Sequence, residues 1–595
     1  MSWAQEEAKK LIEKYPEKDE FVIASGVSPS GFIHIGNFRE IVTTFFVGEE
    51  LKKRGKKVRF ILSFDNFDRF RKVPNGMPES YSKYIGMPYT SIPSPFDCNK
   101  TYAQEMEDRF IGEINRLGIF PEIIRQTQEY KSGRYDDKIK LALERRKDIF
   151  DIQANYKTQE FTAEDRDNYY PISLYCNCCG KDSTRIVNFD ATSETIEYVC
   201  HCGHHEIQSI RKVGNIKLQW KIDWPMRWQQ EGVMFEPGGR DHSAENGSFA
   251  VAKVISKQIF GYDAPSYVGY DFIGIKGANG KMASSTGNVL TLTDLLDVYD
   301  KNIILWFYAK NAPGHQFNIA LDEDVIRFYT EFDRMVKAYF DGKLNGNEAS
   351  IIALTGVNES YLQNPNFANI ANFLPMVNYN EEALKKLLAR ENVDCSTIYF
   401  ESRLQRAKNW LTKYNNSKIS ILDEFNQEYY DTLNEEEKQW IDETVIVLSN
   451  EYETTQALQE RLYDIVKKYS TDPKQVKEKQ RRYFTVIYNM ILGKDSGPKM
   501  GLLLSAIDYN VLVSKLQKDG VSISSLEKYS DIVQFLVQEK RNDASIFEAM
   551  LIAAIRQLKS LGLNVTREDL LVAIESVAKE QNNNLSDGDD PKGYN

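Results

Sequence analysis

Apolar and polar positions near the start of the chain fall into blocks that read as helix, strand, helix, strand. Trp3, Leu11, Ile12 and Tyr15 recur at helical spacing and predict an amphipathic opening helix. Phe21 to Ala24 is a short apolar run closing in Ser25-Gly26, the pattern of a buried strand feeding a turn. From about His34 to Lys53 a second helix is expected, with Phe38, Ile41, Val42, Phe45 and Phe46 on its inner side and Gly55 as its stop. Val58 to Phe64 gives the next strand, ending at Asp65. A strand–helix–strand unit of this kind belongs to an open α/β sheet, whose ligands sit beyond the carboxyl ends of the strands.

Residues 98–215 interrupt that pattern with helical stretches at Ala103 to Leu117 and Asp136 to Ala154 and with a cluster of cysteines. The α/β pattern resumes near Trp220. A Gly-rich turn, Glu236 to His242, precedes a helix at about Ser248 to Phe260, and Tyr267 to Ile275 reads as a strand running into Lys281. Beyond 320 the spacing is helical. Ser470-Thr471-Asp472-Pro473 is a helix start, with a capping acid and proline at the first helical position, and Gly493 is its end. The reading is α/β: a Rossmann-like parallel-sheet domain split into 1–97 and 216–320, a 98–215 insertion holding the cysteine cluster, and an all-α C-terminal half. That half divides into a 321–470 linking region, a 471–581 helical domain and a polar 582–595 tail expected to be disordered.

Composition changes the picture in three places. Charged residues are 27% and apolar residues 42%, as in soluble globular chains, and no apolar run approaches a membrane span. With no apolar leader and acids at Glu6, Glu7, Glu13 and Glu17, the expected location is the cytoplasm. The net charge of −11 does not favour general nucleic-acid binding, so any RNA contact must be local. One local candidate exists. Lys467 to Lys499 holds nine basic and three acidic residues, with Tyr469, Tyr483, Phe484 and Tyr488 interleaved; the plain alternative is a solvated helix face.

Five of the seven cysteines cluster as Cys176-x2-Cys179-Gly180, with Cys178 between them, and Cys200-x-Cys202-Gly203. Two short Cys turns ending in glycine suit a tetrahedral structural zinc site on Cys176, Cys179, Cys200 and Cys202, with Cys178, His201, His204 and His205 as competing ligands. A knuckle without metal is the alternative.

Two short signatures carry the chemistry. In Ser28-Pro29-Ser30-Gly31-Phe32-Ile33-His34-Ile35-Gly36-Asn37, a tight turn leads into a helix whose N-terminus favours an anion, and His34 and Asn37 lie one turn apart. Lys281-Met282-Ala283-Ser284-Ser285-Thr286-Gly287-Asn288 is a Gly/Ser/Thr loop whose single ammonium can follow charge onto a leaving pyrophosphate. Taken singly, each has a bland reading as an ordinary turn or surface loop. Together they point to attack of a carboxylate on the α-phosphate of ATP.

With these residues the chain resembles the class I aminoacyl-tRNA synthetases. The first signature resembles their HIGH sequence with Asn37 at the last position, and the second their KMSKS sequence with Ala283 and Ser284 in the middle and Lys281 as its one lysine. The resemblance narrows to the class I type of lysyl-tRNA synthetase through Ser25 to Gly31, Asp65 to Pro74, Trp220 to Trp228 and Gly238 to His242, and covers most of 20–310 and, more loosely, the helical C-terminal half. No arginine falls within 21–33, where glutamyl enzymes hold their substrate's side-chain carboxylate.

What the resemblance implies is specific. ATP with Mg²⁺ would lie against Pro29, Ser30, Gly31, His34, Gly36, Asn37, Lys281, Met282 and Ser284. His34, Asn37 and Lys281 would carry the developing charge, with Ser285 supporting the loop. L-lysine would lie near Gly26, Ser28, Trp220, His242 and Tyr270, with Tyr267 as the alternative to Tyr270. tRNA-Lys would be bound partly by Lys477, Lys479, Arg481 and Arg482 in an α-helical anticodon domain, by an enzyme expected to be a monomer. Competing readings are the same chemistry with glutamate or arginine, and a tRNA-binding paralogue without catalysis.

Overall fold

Five parallel strands carry the N-terminal part of the molecule: β1 (Glu20–Val27), β2 (Lys57–Phe64), β3 (Glu122–Arg125), β9 (Phe235–Gly239) and β10 (Ser266–Tyr270), in the order β10-β9-β1-β2-β3. The computed structural model describes residues 1–75, 77–277, 289–377, 379–389, 393–415, 421–450, 452, 454–517, 532–534, 536–537, 544–560, 563, 565–567 and 569–575. It divides into two compact units, Met1–Gln363 and Asn364–Asn595.

β1 pairs in register with β2 from Glu20↔Lys57 to Val27↔Phe64, so both carboxyl ends finish level. The chain leaves β1 on one side to form β2 and β3 and fills the other side with β9 and β10 much later. The strand order therefore reverses at β1, and the crevice between β1 and β9 is the place where such sheets bind ligands. Helix α1 (Trp3–Lys14) and helix α2 (Ile35–Lys53) pack over this sheet. Leu11, Phe21, Ile23, Val47, Leu51 and Phe235 share one fully buried cluster. Each such side chain contributes about 1.5–3 kcal/mol relative to exposure.

Several boundaries differ from the sequence pattern. Glu122–Arg125 lies inside the segment expected to interrupt the sheet, yet pairs with Ile61–Phe64 as an edge strand, fed by helix α3 (Tyr102–Arg116). The Asp136 to Ala154 stretch is two helices, Asp136–Glu144 and Arg146–Ala154, because Arg145 leaves helical geometry at φ −96°, ψ 17°. Glu236 to Gly239 is strand rather than turn, and only Arg240–His242 turns, as one 3₁₀ segment. Tyr267 to Ile275 is split. Ser266–Tyr270 ends the main sheet, while β11 (Ile273–Ile275) pairs in parallel with β12 (Phe317–Ile319).

Between these parts, β4 (Ile172–Leu174) and β8 (Ile216–Leu218) form a two-stranded ribbon. β5 (Thr184–Asp190), β6 (Thr195–Cys200) and β7 (His205–Ser209) form an antiparallel sheet beside the cysteines. In the second unit the described elements are all helical. Pro473–Leu492 starts on Asp472, whose side chain accepts from the Lys474 N–H, and ends on Gly493 in the left-handed conformation (φ 64°). Tyr483 on this helix packs against Trp440 at 6.2 Å and meets the Thr444 hydroxyl at 2.8 Å, contacts that cross residue 470. The polar tail from 582 lies outside the described residues. No described helix is long and apolar enough to cross a membrane.

Candidate active site and cysteine cluster

The turn after β1 places the first signature at the switch point. His34 is the N-cap of α2: its Nδ1 accepts from the Gly36 N–H at 3.0 Å, and the Asn37 side-chain oxygen accepts from the His34 N–H at 3.3 Å. With Nδ1 an acceptor, a neutral imidazole carries its proton on Nε2. Asn37, with its oxygen engaged, keeps its amide N–H groups as donors. Gly36 is required at this cap, since a Cβ there would lie 2.8 Å from the His34 ring. Pro29 and Gly31 are buried and shape the turn; Ser30 offers its carbonyl to the Tyr102 hydroxyl at 3.1 Å.

Lys281, Met282, Ser284 and Ser285 lie outside the described residues, but both flanks of their loop are placed. Thr291 forms an antiparallel bridge with His34, and the Ile35 N–H donates to the Leu290 carbonyl at 2.9 Å. Arg39, fully buried on α2, donates to the carbonyls of Asp271, Ala312 and His315 at 2.7–2.9 Å and lies 5.0 Å over the Phe317 ring. Burial lowers its pKa to about 10. One side chain thus ties the signature helix to chain segments on both sides of the Lys281 loop.

The expected amino-acid pocket converges on a carboxylate that pattern reading missed. Glu40 accepts from the Gly26 N–H at 2.7 Å and from the Tyr270 hydroxyl at 2.8 Å. Burial pushes its carboxyl up to about 8, and Glu236 and Asp65 add like charge. Glu236, on β9, accepts from the Trp228 indole N–H at 2.5 Å and is pushed up to about 7, again by burial first. Tyr270, and not Tyr267, meets Glu40; Tyr267 instead stacks on Phe249 at 3.8 Å and meets the Ser243 hydroxyl at 2.8 Å. Gly238 makes room for that ring, because a Cβ there would lie 2.3 Å from the Tyr267 hydroxyl.

Trp220 stacks on Trp224 with ring centroids 5.1 Å apart, and the His242 ring lies 6.1 Å from Trp220. Behind them the Arg227 guanidinium covers Trp220 at 5.6 Å and pairs with Asp65 at 2.7 Å and with Asp223. Lys217 pairs with Asp68 and lies 3.8 Å from Asp223, which accepts from the Tyr130 hydroxyl at 2.6 Å. Ser28 is half-buried at the end of β1. The sequence did contain signals for the missed acids. Glu40 falls three positions after Asn37, on the same helix face, and Glu236 ends the apolar run Val233-Met234-Phe235.

The cysteine turns come together as expected. Cys176, Cys179, Cys200 and Cys202 bring their sulfurs within 4.8 Å of one another, with Cys176–Cys202 at 3.8 Å and Cys179–Cys200 at 3.7 Å. A tetrahedron with metal–sulfur bonds of about 2.3 Å has edges of about 3.8 Å, so the donor set fits Zn²⁺. Gly180 (φ 72°) and Gly203 (φ 88°) close the two turns in the left-handed region. A backbone hydrogen bond from His204 holds Cys202 down to about 7, whereas burial pushes Cys200 up to about 12. His204 and His205 are engaged by Glu206 and Glu197 at 3.0 and 2.8 Å.

The basic stretch is less open than its sequence implies. Lys479 pairs with Glu436 and Arg482 with Glu437, while Lys477 and Arg481 are exposed. Tyr483 and Tyr488 are buried in the helical core, so neither ring is on the surface as the interleaving suggested.

The model of class I tRNA synthetases (K) matches residues 1–358. A lysine–tRNA ligase of Pyrococcus horikoshii is 31% identical over 537 residues, covering 87% of this chain and 99% of that protein. One of Borreliella burgdorferi is 33% identical over 534 residues, covering 85% and 96%. A solved glutamate tRNA ligase of Elizabethkingia meningosepticum covers 83% of this chain and 98% of its own at 12% identity and a TM-score of 0.45.

Proposed function

We infer from membership in the class I tRNA synthetase (K) family, to which this chain belongs, that it is a lysine–tRNA ligase. It activates L-lysine with ATP, releasing pyrophosphate, and transfers the lysyl group to the 2′-hydroxyl of the terminal adenosine of tRNA-Lys. The observation that carries the choice of amino acid is the acidic floor of the switch-point crevice. Glu40, Glu236 and Asp65 gather there, with Arg227 and Lys217 on the Asp65 side, and a cation is the ligand that the Glu40 side of such a floor accepts.

In this reading the lysine ammonium lies against Glu40 and Tyr270, near Gly26 and Ser28, with the Trp220 and His242 rings as its wall. Its carboxylate attacks the α-phosphate of ATP. His34 Nε2–H and the Asn37 amide donate to the charge that develops on the phosphates, helped by the N-terminus of α2. Mg²⁺ accompanies ATP, and Lys281 meets the leaving pyrophosphate, with Ser284 and Ser285 shaping its loop. The loop's anchorage through Leu290 and Thr291 to the signature supports that role. A Zn²⁺ on the four cysteines would hold the β5–β7 sheet together. Lys477 and Arg481 would meet RNA phosphates, and the enzyme would work as a cytoplasmic monomer.

The test is aminoacylation of total tRNA with labelled lysine, arginine and glutamate in parallel. Charging with lysine alone is the expected result. Charging with either other amino acid would keep the chemistry and discard the pocket. Retained tRNA binding without charging would favour a non-catalytic paralogue.

A further inference from the structure

Two phenylalanines stand partly in solvent beside the signature turn, with one cation over both rings. Phe32 belongs to the signature turn, Phe96 to the loop before α3, and Arg109 to α3 itself. Their exposures are 37% for Phe32 and 52% for Phe96. The ring centroids are 5.8 Å apart, and the Arg109 guanidinium lies 5.2 Å from one ring and 4.8 Å from the other. Glu105 holds that guanidinium through its Nε at 2.5 Å. A groove of about 520 Å³ opens beside them, lined by Arg116, Glu113, Thr291 and Thr293. Glu113 is already engaged by the Thr293 N–H and hydroxyl at 3.2 and 2.7 Å.

Two large exposed rings and a guanidinium that converge from three chain segments are unlike singly scattered surface residues. They offer flat faces for a flat partner and positive charge for a backbone. Unpaired nucleotides need both, since their bases stack on aromatic and arginine planes and their phosphates seek cations. Phe32 lies two positions before His34, so the rings sit close to the reacting centre.

We propose that Phe32, Phe96 and Arg109 form a stacking platform for the unpaired 3′ end of tRNA, guiding its terminal ribose to the signature. This rests on the aminoacylation reading above. The surface recognises single-stranded RNA by stacking, while duplex contacts fall elsewhere.

The experiment compares binding of intact tRNA with that of tRNA trimmed of its unpaired 3′ nucleotides, using the full-length protein and the variants Phe96→Ala, Arg109→Gln and Phe96→Trp. The expected result is that Phe96→Ala and Arg109→Gln weaken intact tRNA roughly tenfold. Trimmed tRNA binds all variants equally, Phe96→Trp retains the wild-type affinity, and the KM for ATP does not move. Equal loss with trimmed tRNA would reassign the surface to duplex RNA or to folding and overturn the platform. So would an unchanged affinity for intact tRNA, or a raised KM for ATP, which would give the rings to the adenine. A wild-type protein that discriminates intact from trimmed tRNA yet charges no lysine would sink the proposed function and leave the platform standing.

Discussion

At the residue scale the decisive group is Glu40. Its carboxyl is neutral below about 8 and ionised above it, because burial disfavours the charge. A lysine ammonium needs the ionised form, so binding lysine at neutral pH must expel the proton. Lysine affinity should therefore fall as pH drops below about 8, approaching tenfold per unit for one linked proton. The KM for lysine between pH 6.5 and 8.5 reads this directly, and Glu40→Gln should raise it while flattening the profile. A flat wild-type profile would show that Glu40 does not face the substrate. Gly36 gives a second prediction at this scale. Gly36→Ala drives a Cβ into the His34 ring, so kcat should fall at least tenfold with the KM for tRNA nearly unchanged. Lys281→Ala should likewise lower turnover sharply and leave tRNA affinity intact; unchanged kinetics would remove Lys281 from the phosphate role.

Elements meet at two devices. Arg39 on α2 holds four backbone carbonyls on segments that precede and follow the Lys281 loop. Lysine at that position can replace the charge but not the fork, so Arg39→Lys should lower kcat about tenfold by loosening the loop's base. Thermal unfolding of the same variant checks for general destabilisation, which would assign Arg39 a purely structural role. The cysteine turns are the second device. Metal analysis should find one Zn²⁺ per chain, and Cys176→Ser or a strong chelator should remove it and lower Tm. A zinc-free protein with unchanged Tm would make the cluster a knuckle without metal.

At the scale of the whole molecule, nucleic-acid affinity must arise locally because the net charge is −11. Replacing exposed Lys477 and Arg481 together by alanine should weaken tRNA binding and flatten its log–log salt dependence by about one per residue. Lys479→Ala and Arg482→Ala should act less on binding, since both cations already face carboxylates within the second unit. An unchanged salt slope in the Lys477/Arg481 variant would move the RNA surface elsewhere.

The sequence by itself determined what is local. The start of α2 near His34, the Asp472-Pro473 start and Gly493 end of the long helix, and each of the two glycine-closed cysteine turns follow from residues a few positions apart. Local hydrogen bonding and periodicity fix such features before any tertiary contact forms. Tertiary structure decided what depends on residues far apart in the chain. Glu122–Arg125 is a strand because Ile61–Phe64 presents a free edge to it. Tyr270 rather than Tyr267 meets Glu40 because Phe249 captures the other ring. Tyr483 and Tyr488 turn inward because a helix that packs must bury one face, whatever its charges promise. Most of all, the raised carboxyls of Glu40 and Glu236 come from desolvation, a property of the surroundings that no sequence position carries alone.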